Sequence, residues 1–421
     1  MTVRPTVVVA MHDGFYGSGT GAGYANRGFL QVLTDLLAPR VRLVVMPVYL
    51  ASDSLEYQAD WHVASLELCD QATAAILPVY NGTEGQVRFG GVPVFRRLAV
   101  SVADRLKQHV LPDAGPLAVI LFDVPFLGVA PLLPMGVVPR LTAVIRSTGI
   151  LHDPANADRV AFERAGMRFL AAQGGHIAAI SGYMRSHLTR DYEVPPWAMA
   201  DLPDGLVPAD WDDCPPPPAL PPAALGGFLL ALGRAHPYKG WDDLLDALAA
   251  PVGAPLPHAV LAAVTDQPGL SGYQRHLAER IRTLGLDATL LTRFDPGVRT
   301  LLRHPALRAV VVPSRSEPFG RVPLEAYIAG AAPVVATTAG GLTEQVIDGV
   351  TGFTAAPADP ASLAVAIERA LSMSAAQRER MRAGGRELAR TRFDHTLAIR
   401  RFLADSAPWA CRETQQHPAA V

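Results

Sequence analysis

The segment SEPFGRVPLE, residues 316–325, places two carboxylates in a turn that leads from a strand into a helix. The apolar residues 309–312 predict a strand before the turn, and Pro323 suits the first turn of the helix. Glu317 then lies in the mouth of the turn, and Glu325 lies about two helical turns further on. Backbone N–H groups at a helix start bind anionic or polar ligand atoms, and carboxylates accept hydrogen bonds from hydroxyl groups. On its own, the pattern fits a solvated capping pair as well as a ligand site.

A second strand-to-helix turn precedes this segment in FLLALGRAHPYKG, residues 228–240. The apolar run predicts a strand that ends at Gly233 and Arg234. Lys239 then stands just before an amphipathic helix predicted over residues 241–249. Two cations at such a turn favour an anionic ligand, although a surface ion pair would use the same residues.

Together, the two segments resemble the paired motifs of family 4 glycosyltransferases, Gly-Arg-x4-Lys-Gly followed by Glu-x7-Glu. The resemblance continues through residues 333–344 and 348–353, and it includes a serine followed by a helix at residues 178–185. It covers the C-terminal half well and the N-terminal half loosely. It implies an α/β protein of the GT-B fold, with two Rossmann-like domains facing each other across a cleft. It also implies retaining transfer from a nucleotide sugar.

Chain length and hydrophobic pattern also predict two domains, because 421 residues exceed one ordinary core. Short apolar runs alternate with helical patterns in both halves, which is typical of parallel sheets. We predict a Rossmann-like acceptor domain over residues 1–211 and a Rossmann-like donor domain over residues 228–393. A Pro-rich linker over residues 212–227 would join them, and residues 394–421 would pack back on the first domain through a C-terminal helix, as the resemblance implies.

Composition excludes some classes of protein. Hydrophobic residues make up 49% and charged residues 18%, as expected of a packed globular enzyme. The net charge of −2 gives no drive toward nucleic acid. The three cysteines, which lie far apart in sequence, fit a reducing compartment, and no apolar stretch reads as a signal peptide or a membrane span. We therefore expect a cytoplasmic protein without an integral membrane segment, and the oligomeric state stays open.

The resemblance assigns roles to individual residues. Arg234 and Lys239 would be the cations at the β-phosphate of the donor, Glu317 would lie beside the donor sugar, and Glu325 would bind the ribose hydroxyls. The cations would stabilise the charge that develops on the departing diphosphate. Further donor-binding residues are expected in the adjoining turns and in the turn that would contact the base: Gly233, Arg293, Phe294, Phe319 and Gly320.

The N-terminal half contributes a glycine-rich turn, DGFYGSGTGAG, at residues 13–23. Gly19 and Gly21 would let the backbone approach a phosphate at the start of the first helix. His152 is the candidate for the family histidine that contacts the donor sugar, and a surface histidine without function is the alternative. No metal site is expected, since the resemblance implies front-face attack, in which the departing phosphate accepts the acceptor proton and neither a metal nor an enzyme nucleophile is needed. The nucleotide sugar is a co-substrate, and no cofactor is expected.

The acceptor is predicted only as a small hydroxylated molecule. Four acids lie at or near predicted strand ends or loops: Asp13, Glu84, Asp123 and Asp153. If they converge, they would favour a cationic acceptor, such as an aminocyclitol or another natural-product scaffold. Three alternatives to transfer remain: an NAD-dependent Rossmann oxidoreductase, a sugar-nucleotide 2-epimerase and a non-catalytic sugar-nucleotide binding protein. The oxidoreductase needs an acid at the end of the second strand, and residues 41–50 offer none.

Overall fold

The computed structural model describes residues 3–18, 20–207, 215–250, 255–265, 269–331 and 333–411. The chain forms two compact units. The first unit comprises Met1–Ile180, Arg185–Pro203 and His395–Val421, and the second comprises Ser181–Met184 and Asp204–Asp394. Residues 208–214, within which the predicted linker begins, lie outside the described residues.

The first unit is built on a seven-stranded parallel sheet of order β3-β2-β1-β4-β5-β6-β7. Its strands are β1 (Arg4–Met11), β2 (Arg42–Pro47), β3 (Ala75–Ile76), β4 (Ala114–Phe122), β5 (Leu141–Ile145), β6 (His176–Ala179) and β7 (Met199–Asp201). The helices that follow them include α1 (Gly21–Leu36), α2 (Ala59–Gln71), α3 (Val92–His109), α4 (Gly149–His152) and α5 (Ala157–Ala172). Helix α6 (Gly182–Asp191) begins in the second unit and belongs to the first unit from Arg185 onward. The central strands are apolar on both faces because helices cover both sides of a parallel sheet.

The second unit has a six-stranded parallel sheet of order β10-β9-β8-β11-β12-β13. Its strands are β8 (Phe228–Arg234), β9 (His258–Thr265), β10 (Ala288–Arg293), β11 (Leu307–Val312), β12 (Val334–Thr337) and β13 (Gly352–Ala355). Its helices are α7 (Pro222–Leu225), α8 (Trp241–Ala249), α9 (Gly272–Thr283), α10 (Arg321–Ala329), α11 (Pro360–Leu371) and α12 (Ala375–Arg392). Capping boxes begin α9 and α12 and fix where those helices start.

Both sheets follow the strand order 3-2-1-4-5-6 of the doubly wound Rossmann fold, and the first sheet adds a seventh strand. The order reverses between β1 and β4 in the first unit and between β8 and β11 in the second. Ligands of such sheets bind at the carboxyl ends of the strands at this switch point. The prediction of two Rossmann-like α/β domains is therefore confirmed.

The C-terminal helix α13 (His395–Ser406) belongs to the first unit, where it packs against α1. The structure differs from the predicted boundaries in three places. The first unit ends at Pro203 rather than at residue 211, because residues from Asp204 onward pack in the second unit. Asp394 also belongs to the second unit, through a bridge to Leu206. The described part of the predicted linker, from Pro215 onward, belongs to the second unit, where Pro215 accepts a hydrogen bond from Thr300.

Candidate active site

The 233–240 loop begins at the carboxyl end of β8, at the switch point of the second sheet. A 3-10 turn over Pro237–Lys239 brings the chain to Gly240, which has φ +70°. A Cβ atom on Gly240 would lie 1.9 Å from the carbonyl oxygen of Pro313, so only glycine fits. The close approach sets this loop directly against the 313–320 loop, which follows β11.

Hydrogen bonds join the two loops. The carbonyl oxygen of Tyr238 accepts from the backbone N–H groups of Arg315 at 2.7 Å and Ser316 at 3.3 Å. The guanidinium of Arg315 also donates two bonds of 2.6 Å to the carboxylate of Asp243, in the first turn of α8. The hydrogen bonding to Asp243 raises the pKa of Arg315. The relative position of the loops is therefore fixed without any ligand.

Lys239 and Glu317 form an ion pair between the loops, with 2.5 Å from Nζ to Oε2. The same oxygen accepts a hydrogen bond of 3.1 Å from the hydroxyl of Ser314. The side chains of Lys239 and Glu317 remain 20% and 12% exposed, so a ligand can reach the pair. The predicted sugar carboxylate and one predicted phosphate cation thus lie in direct contact.

Tyr238 holds both predicted phosphate cations. Arg234 donates a hydrogen bond to its hydroxyl, and the guanidinium carbon lies 5.7 Å from the centre of its ring. The ammonium of Lys239 lies 5.5 Å from the same centre, within cation–π range. The centre of the His236 ring lies 4.3 Å from the centre of the Tyr238 ring. Burial and the nearby charges of Arg234 and Lys239 lower the pKa of His236. Motif spacing did not reveal Tyr238, since it occupies a variable position between the two cations.

The 313–320 loop is anchored from behind by backbone and side-chain donors. Gly341 N–H donates to the carbonyl of Glu317 at 2.9 Å, and the amide of Gln345 donates to the carbonyl of Phe319 at 2.7 Å. Ser181 donates to the carbonyl of Pro318 at 2.8 Å. The carbonyl groups of three consecutive residues of the loop are therefore all hydrogen-bonded, which fixes the conformation of the loop.

The same loop ends at Gly320, the N-cap of α10, with φ +88° and no side-chain cap. A side chain at Gly320 would meet Leu342 at 2.6 Å, so glycine is required for space as well as for conformation. Phe319 beside it is buried and packs edge to face with Phe393. The uncapped helix start therefore offers its backbone N–H groups from a rigid position.

Glu325 lies in the second turn of α10 and is 6% exposed. Its Oε1 is 3.4 Å from Nε of Arg321 and 3.7 Å from Nη2 of Arg299. The sequence analysis missed both arginines. The spacing of Arg321 and Glu325, four residues apart on one helix, was a signal that could have indicated this pair.

The predicted base contacts lie at the end of β10. Arg293 is exposed and Phe294 is half-buried, and Gln274 ties the neighbouring strand ends together by donating to the carbonyls of Ala263 and Thr292. Gly233 would place a Cβ atom 3.9 Å from the Lys239 side chain. The base-binding role of this turn stays a prediction.

The predicted residues of the N-terminal half belong to the first unit. Gly19 lies outside the described residues, and Gly21 is the first residue of α1, which Thr20 caps by accepting from Gly23 N–H. His152 is the last residue of α4. The roles of Gly19, Gly21 and His152 toward the donor stay predictions.

The switch point of the first sheet holds a buried polar network instead. Arg88 pairs with Asp13 at 2.5 Å and with Glu56 at 3.1 Å, and Thr20 also donates to Asp13. Asp123, with φ +81°, accepts from three backbone N–H groups, those of residues 124, 146 and 147. The carboxylates of Asp13 and Asp123 are thus satisfied within the unit.

The other two acids of the proposed cationic-acceptor cluster give it no support. Glu84 is exposed, and Asp153 accepts a hydrogen bond from its own neighbour Asn156. Within the described ranges, no group of three or more histidine, cysteine or acidic side chains is arranged to hold a metal ion. No helix among the described residues is long and apolar enough to cross a membrane.

Comparison with known families agrees with this geometry. The family model described as glycosyl transferases group 1 matches residues 226–388. The match includes both loops, the Lys239–Glu317 pair and Glu325. Residues 226–388 are therefore a group 1 glycosyltransferase domain, and the predicted resemblance to family 4 glycosyltransferases is confirmed there.

Among curated proteins, a D-inositol 3-phosphate glycosyltransferase of Frankia alni is 41% identical over 151 residues. The match covers 35% of this chain and 37% of that enzyme. The chain thus spans less than two fifths of the length of the curated relatives it matches first.

Solved structures match along nearly the whole chain. Sucrose-phosphate synthase of Thermosynechococcus elongatus has a TM-score of 0.70 and 18% identity, covering 94% of this chain and 97% of the other. Anabaena HepE in complex with UDP-glucose has a TM-score of 0.65 and 19% identity, covering 95% and 98%. At these identities the likeness shows the fold alone, which is that of GT-B glycosyltransferases.

Proposed function

We propose that this protein is a retaining glycosyltransferase that moves a sugar from a nucleoside-diphosphate sugar to a small hydroxylated acceptor. One observation carries the proposal. Arg234 and Lys239 lie against one tyrosine ring at the switch point of the second sheet, and Lys239 contacts Glu317 from the facing loop. These residues also fall in the part of the chain that matches the group 1 model, and solved relatives include a complex with UDP-glucose.

The electrostatics of the two loops suit a diphosphate leaving group. Two cations and one carboxylate leave a local charge of +1 before any ligand binds. The diphosphate becomes more negative as the glycosidic bond breaks, so Arg234 and Lys239 bind the transition state more tightly than the ground state. Lys239 would exchange part of its contact with Glu317 for a phosphate oxygen, and Glu317 would then accept from a sugar hydroxyl.

The start of α10 supplies the remaining donor contacts in this proposal. Backbone N–H groups of Phe319 and Gly320 would bind sugar hydroxyls, because the helix start carries no side-chain cap. Glu325, one turn deeper, would accept from the ribose hydroxyls. Arg293 and Phe294 would lie near the base.

The donor site is tested by calorimetric titration with UDP, GDP, ADP and dTDP, with and without EDTA. We expect one diphosphate to bind in the micromolar range with or without EDTA, and the Lys239→Ala variant to lose that binding. The matched control is Arg282→Ala, which removes an exposed cation paired with Glu279 in the same unit. Absence of binding by all four diphosphates would contradict a nucleotide-sugar donor.

Turnover then separates transfer from the alternative functions. Release of diphosphate only in the presence of an acceptor indicates a transferase, whereas acceptor-independent epimer formation indicates a 2-epimerase. Binding without turnover indicates a sugar-nucleotide binding protein, and binding of NAD in place of the diphosphates indicates an oxidoreductase. The anomeric configuration of the product, read by NMR, tests retention.

The acceptor class is the least supported part of the proposal. An aminocyclitol acceptor requires free carboxylates, and the carboxylates of Asp13 and Asp123 already accept hydrogen bonds from their own unit. A neutral or phosphorylated polyol needs no such cluster. Equal turnover of matched amino and neutral acceptors would remove the aminocyclitol hypothesis. The cytoplasmic location stays a prediction from the sequence.

A further inference from the structure

Tyr238 occupies one of the variable positions of the Gly-Arg-x4-Lys-Gly motif, so the motif resemblance gives it no role. Its hydroxyl accepts a hydrogen bond from Nη2 of Arg234, and the guanidinium carbon of Arg234 lies 5.7 Å from the centre of its ring. The ammonium nitrogen of Lys239 lies 5.5 Å from the same centre. One side chain therefore interacts with both cations that the proposed function assigns to the donor diphosphate.

Tyr238 is itself held in place by both loops. Its carbonyl oxygen accepts from the backbone N–H groups of Arg315 at 2.7 Å and Ser316 at 3.3 Å. Its own N–H donates to Nδ1 of His236 at 3.4 Å, and the centres of the two rings lie 4.3 Å apart. The backbone and the ring of Tyr238 thus have fixed neighbours in the structure without a ligand.

The two cations gain from such a support. Arg234 is exposed, and the side chain of Lys239 is 20% exposed. A long side chain loses rotamer freedom when a ligand orders it, and two like charges repel each other when they are brought to one ligand group. A phenol oxygen accepts from a guanidinium group, and the face of an aromatic ring attracts a cation. Tyr238 therefore offsets part of both costs before the ligand binds.

We propose that Tyr238 is a positioning residue of the donor site. It holds Arg234 through its hydroxyl and Lys239 through its ring, in the arrangement that receives the β-phosphate of the donor. A nucleoside monophosphate has no β-phosphate, so Tyr238 increases the affinity for diphosphates and leaves the affinity for monophosphates unchanged. The inference rests on the proposed function, which assigns the diphosphate to the two cations. It goes further in assigning part of the diphosphate affinity to a residue at a variable position of the motif.

The test compares two substitutions with a matched control. Tyr238→Phe removes the hydroxyl and keeps the ring, whereas Tyr238→Leu removes both. The control is Tyr273→Phe, which removes a hydroxyl that donates to Asp242 at 2.6 Å in the same unit. The probes are whichever of UDP, GDP, ADP and dTDP binds the wild type, together with the 5′-monophosphate of the same nucleoside. Calorimetric titration measures both affinities, and circular dichroism checks that each variant is folded.

The expected effect is confined to the diphosphate. Tyr238→Phe should weaken diphosphate binding by about three- to tenfold, the cost of ordering one long side chain. Its affinity for the monophosphate should stay within about twofold of the wild type. Tyr238→Leu should weaken diphosphate binding further, because Lys239 also loses its ring. Tyr273→Phe should change neither affinity.

A double-mutant cycle with Arg234→Ala shows whether the hydroxyl acts through Arg234. If Tyr238 positions that guanidinium group, Tyr238→Phe should cause no further loss of diphosphate affinity once Arg234 is absent. A general disturbance of the 233–240 loop would instead cause the same loss in both backgrounds, and it would weaken binding of the monophosphate as well.

Equal diphosphate affinity of the wild type and a folded Tyr238→Phe overturns the inference. An equal loss for the monophosphate overturns it too, as does an undiminished loss in the Arg234→Ala background. If Tyr238→Phe does not fold, Tyr238→Trp takes its place with the same expectations, since it also keeps an aromatic ring and lacks the phenol oxygen. If no diphosphate binds the wild type, the proposed function fails and the inference fails with it.

Discussion

The two Rossmann-like units share a strand order, yet their switch points are filled differently. In the first unit, Arg88 and Asp13 pair at 2.5 Å with side chains only 8% and 2% exposed. In the second unit, Lys239 and Glu317 pair at the same distance but are 20% and 12% exposed. The first pair is enclosed by its own loops, whereas the second is accessible at the surface of its unit. The same position in the fold therefore holds an enclosed ion pair in one unit and an accessible ion pair in the other.

Breaking the enclosed pair should produce the largest effect. Arg88→Leu leaves the carboxylates of Asp13 and Glu56 without their cation, one of them almost fully buried. Removing one partner of a buried ion pair costs about 3–5 kcal/mol, and we expect the free energy of unfolding to fall by that amount. Urea titration followed by circular dichroism measures it. Arg168→Leu, which removes an exposed partner of Glu193, should change it by less than about 1 kcal/mol. Similar losses in both variants would contradict the comparison.

Breaking the accessible pair should affect binding rather than stability. Lys239→Met keeps the length of the side chain and removes its charge. Because the pair is only partly buried, the free energy of unfolding should fall by less than the roughly 3–5 kcal/mol expected when a fully buried pair is broken. Diphosphate affinity should fall by about 1.5–3 kcal/mol, the value of a charge-assisted hydrogen bond. Parallel unfolding and calorimetric titrations measure both, and a loss of stability larger than the loss of affinity would reverse the assignment.

A third substitution tests the N-cap of helix α1, which Thr20 provides while it is bonded to Asp13. Thr20 caps α1 by accepting from Gly23 N–H, and it donates to Asp13 at 2.5 Å. Thr20→Ala should lower the free energy of unfolding by about 1–2 kcal/mol, as for other lost N-caps. Thr20→Ser keeps the hydroxyl and should recover most of that loss in the same urea titration. Equal losses in the two variants would mean that the methyl group of Thr20 matters, not its cap.

The smallest expected effect is a pH dependence in the first unit. His187 is 1% exposed and lies 2.6 Å from Asp191 and 2.8 Å from the hydroxyl of Thr148. Burial lowers the pKa of His187 below its usual 6.5, against the opposing effect of Asp191. As pH falls through 6.5, the unfolded chain binds a proton that the folded chain does not, so stability decreases until the lowered pKa is reached. His187→Gln should remove this part of the decrease, as unfolding titrations between pH 8 and pH 5 would show. An unchanged slope would contradict it.

The 233–240 and 313–320 loops were predictable because the residues of each motif lie close together in sequence. Arg234 and Lys239 lie within one strand-to-helix turn, and Glu317 and Glu325 lie within another, so fixed spacings carry the information. The parallel α/β fold class was predictable for a similar reason, since alternating apolar strands and helices permit few arrangements. The short strands β7 and β13 are hard to predict, because three or four residues carry too little pattern.

The surroundings of these loops were not predictable. Arg88 and Asp13 are 75 residues apart in sequence and meet only because two loops of the first unit pack together. Tyr238 lies inside a recognised motif, but its hold on Arg234 and Lys239 depends on the direction in which its ring points. The sequence left open whether the four acids converge, and it could not show that Asp13 pairs with Arg88, since a charge pattern along the chain does not show which cation lies opposite.

The sequence by itself determined the fold class, the two units and the two loops whose spacing marks a group 1 glycosyltransferase domain. It could do so because strand periodicity, glycine at positive φ and helix starts are short-range properties. Only the tertiary structure decided which charges pair, which carboxylates remain accessible and that two arginines surround Glu325. Those outcomes depend on side chains brought together from distant segments, where a change in packing of a few ångströms decides between a buried structural ion pair and a binding site.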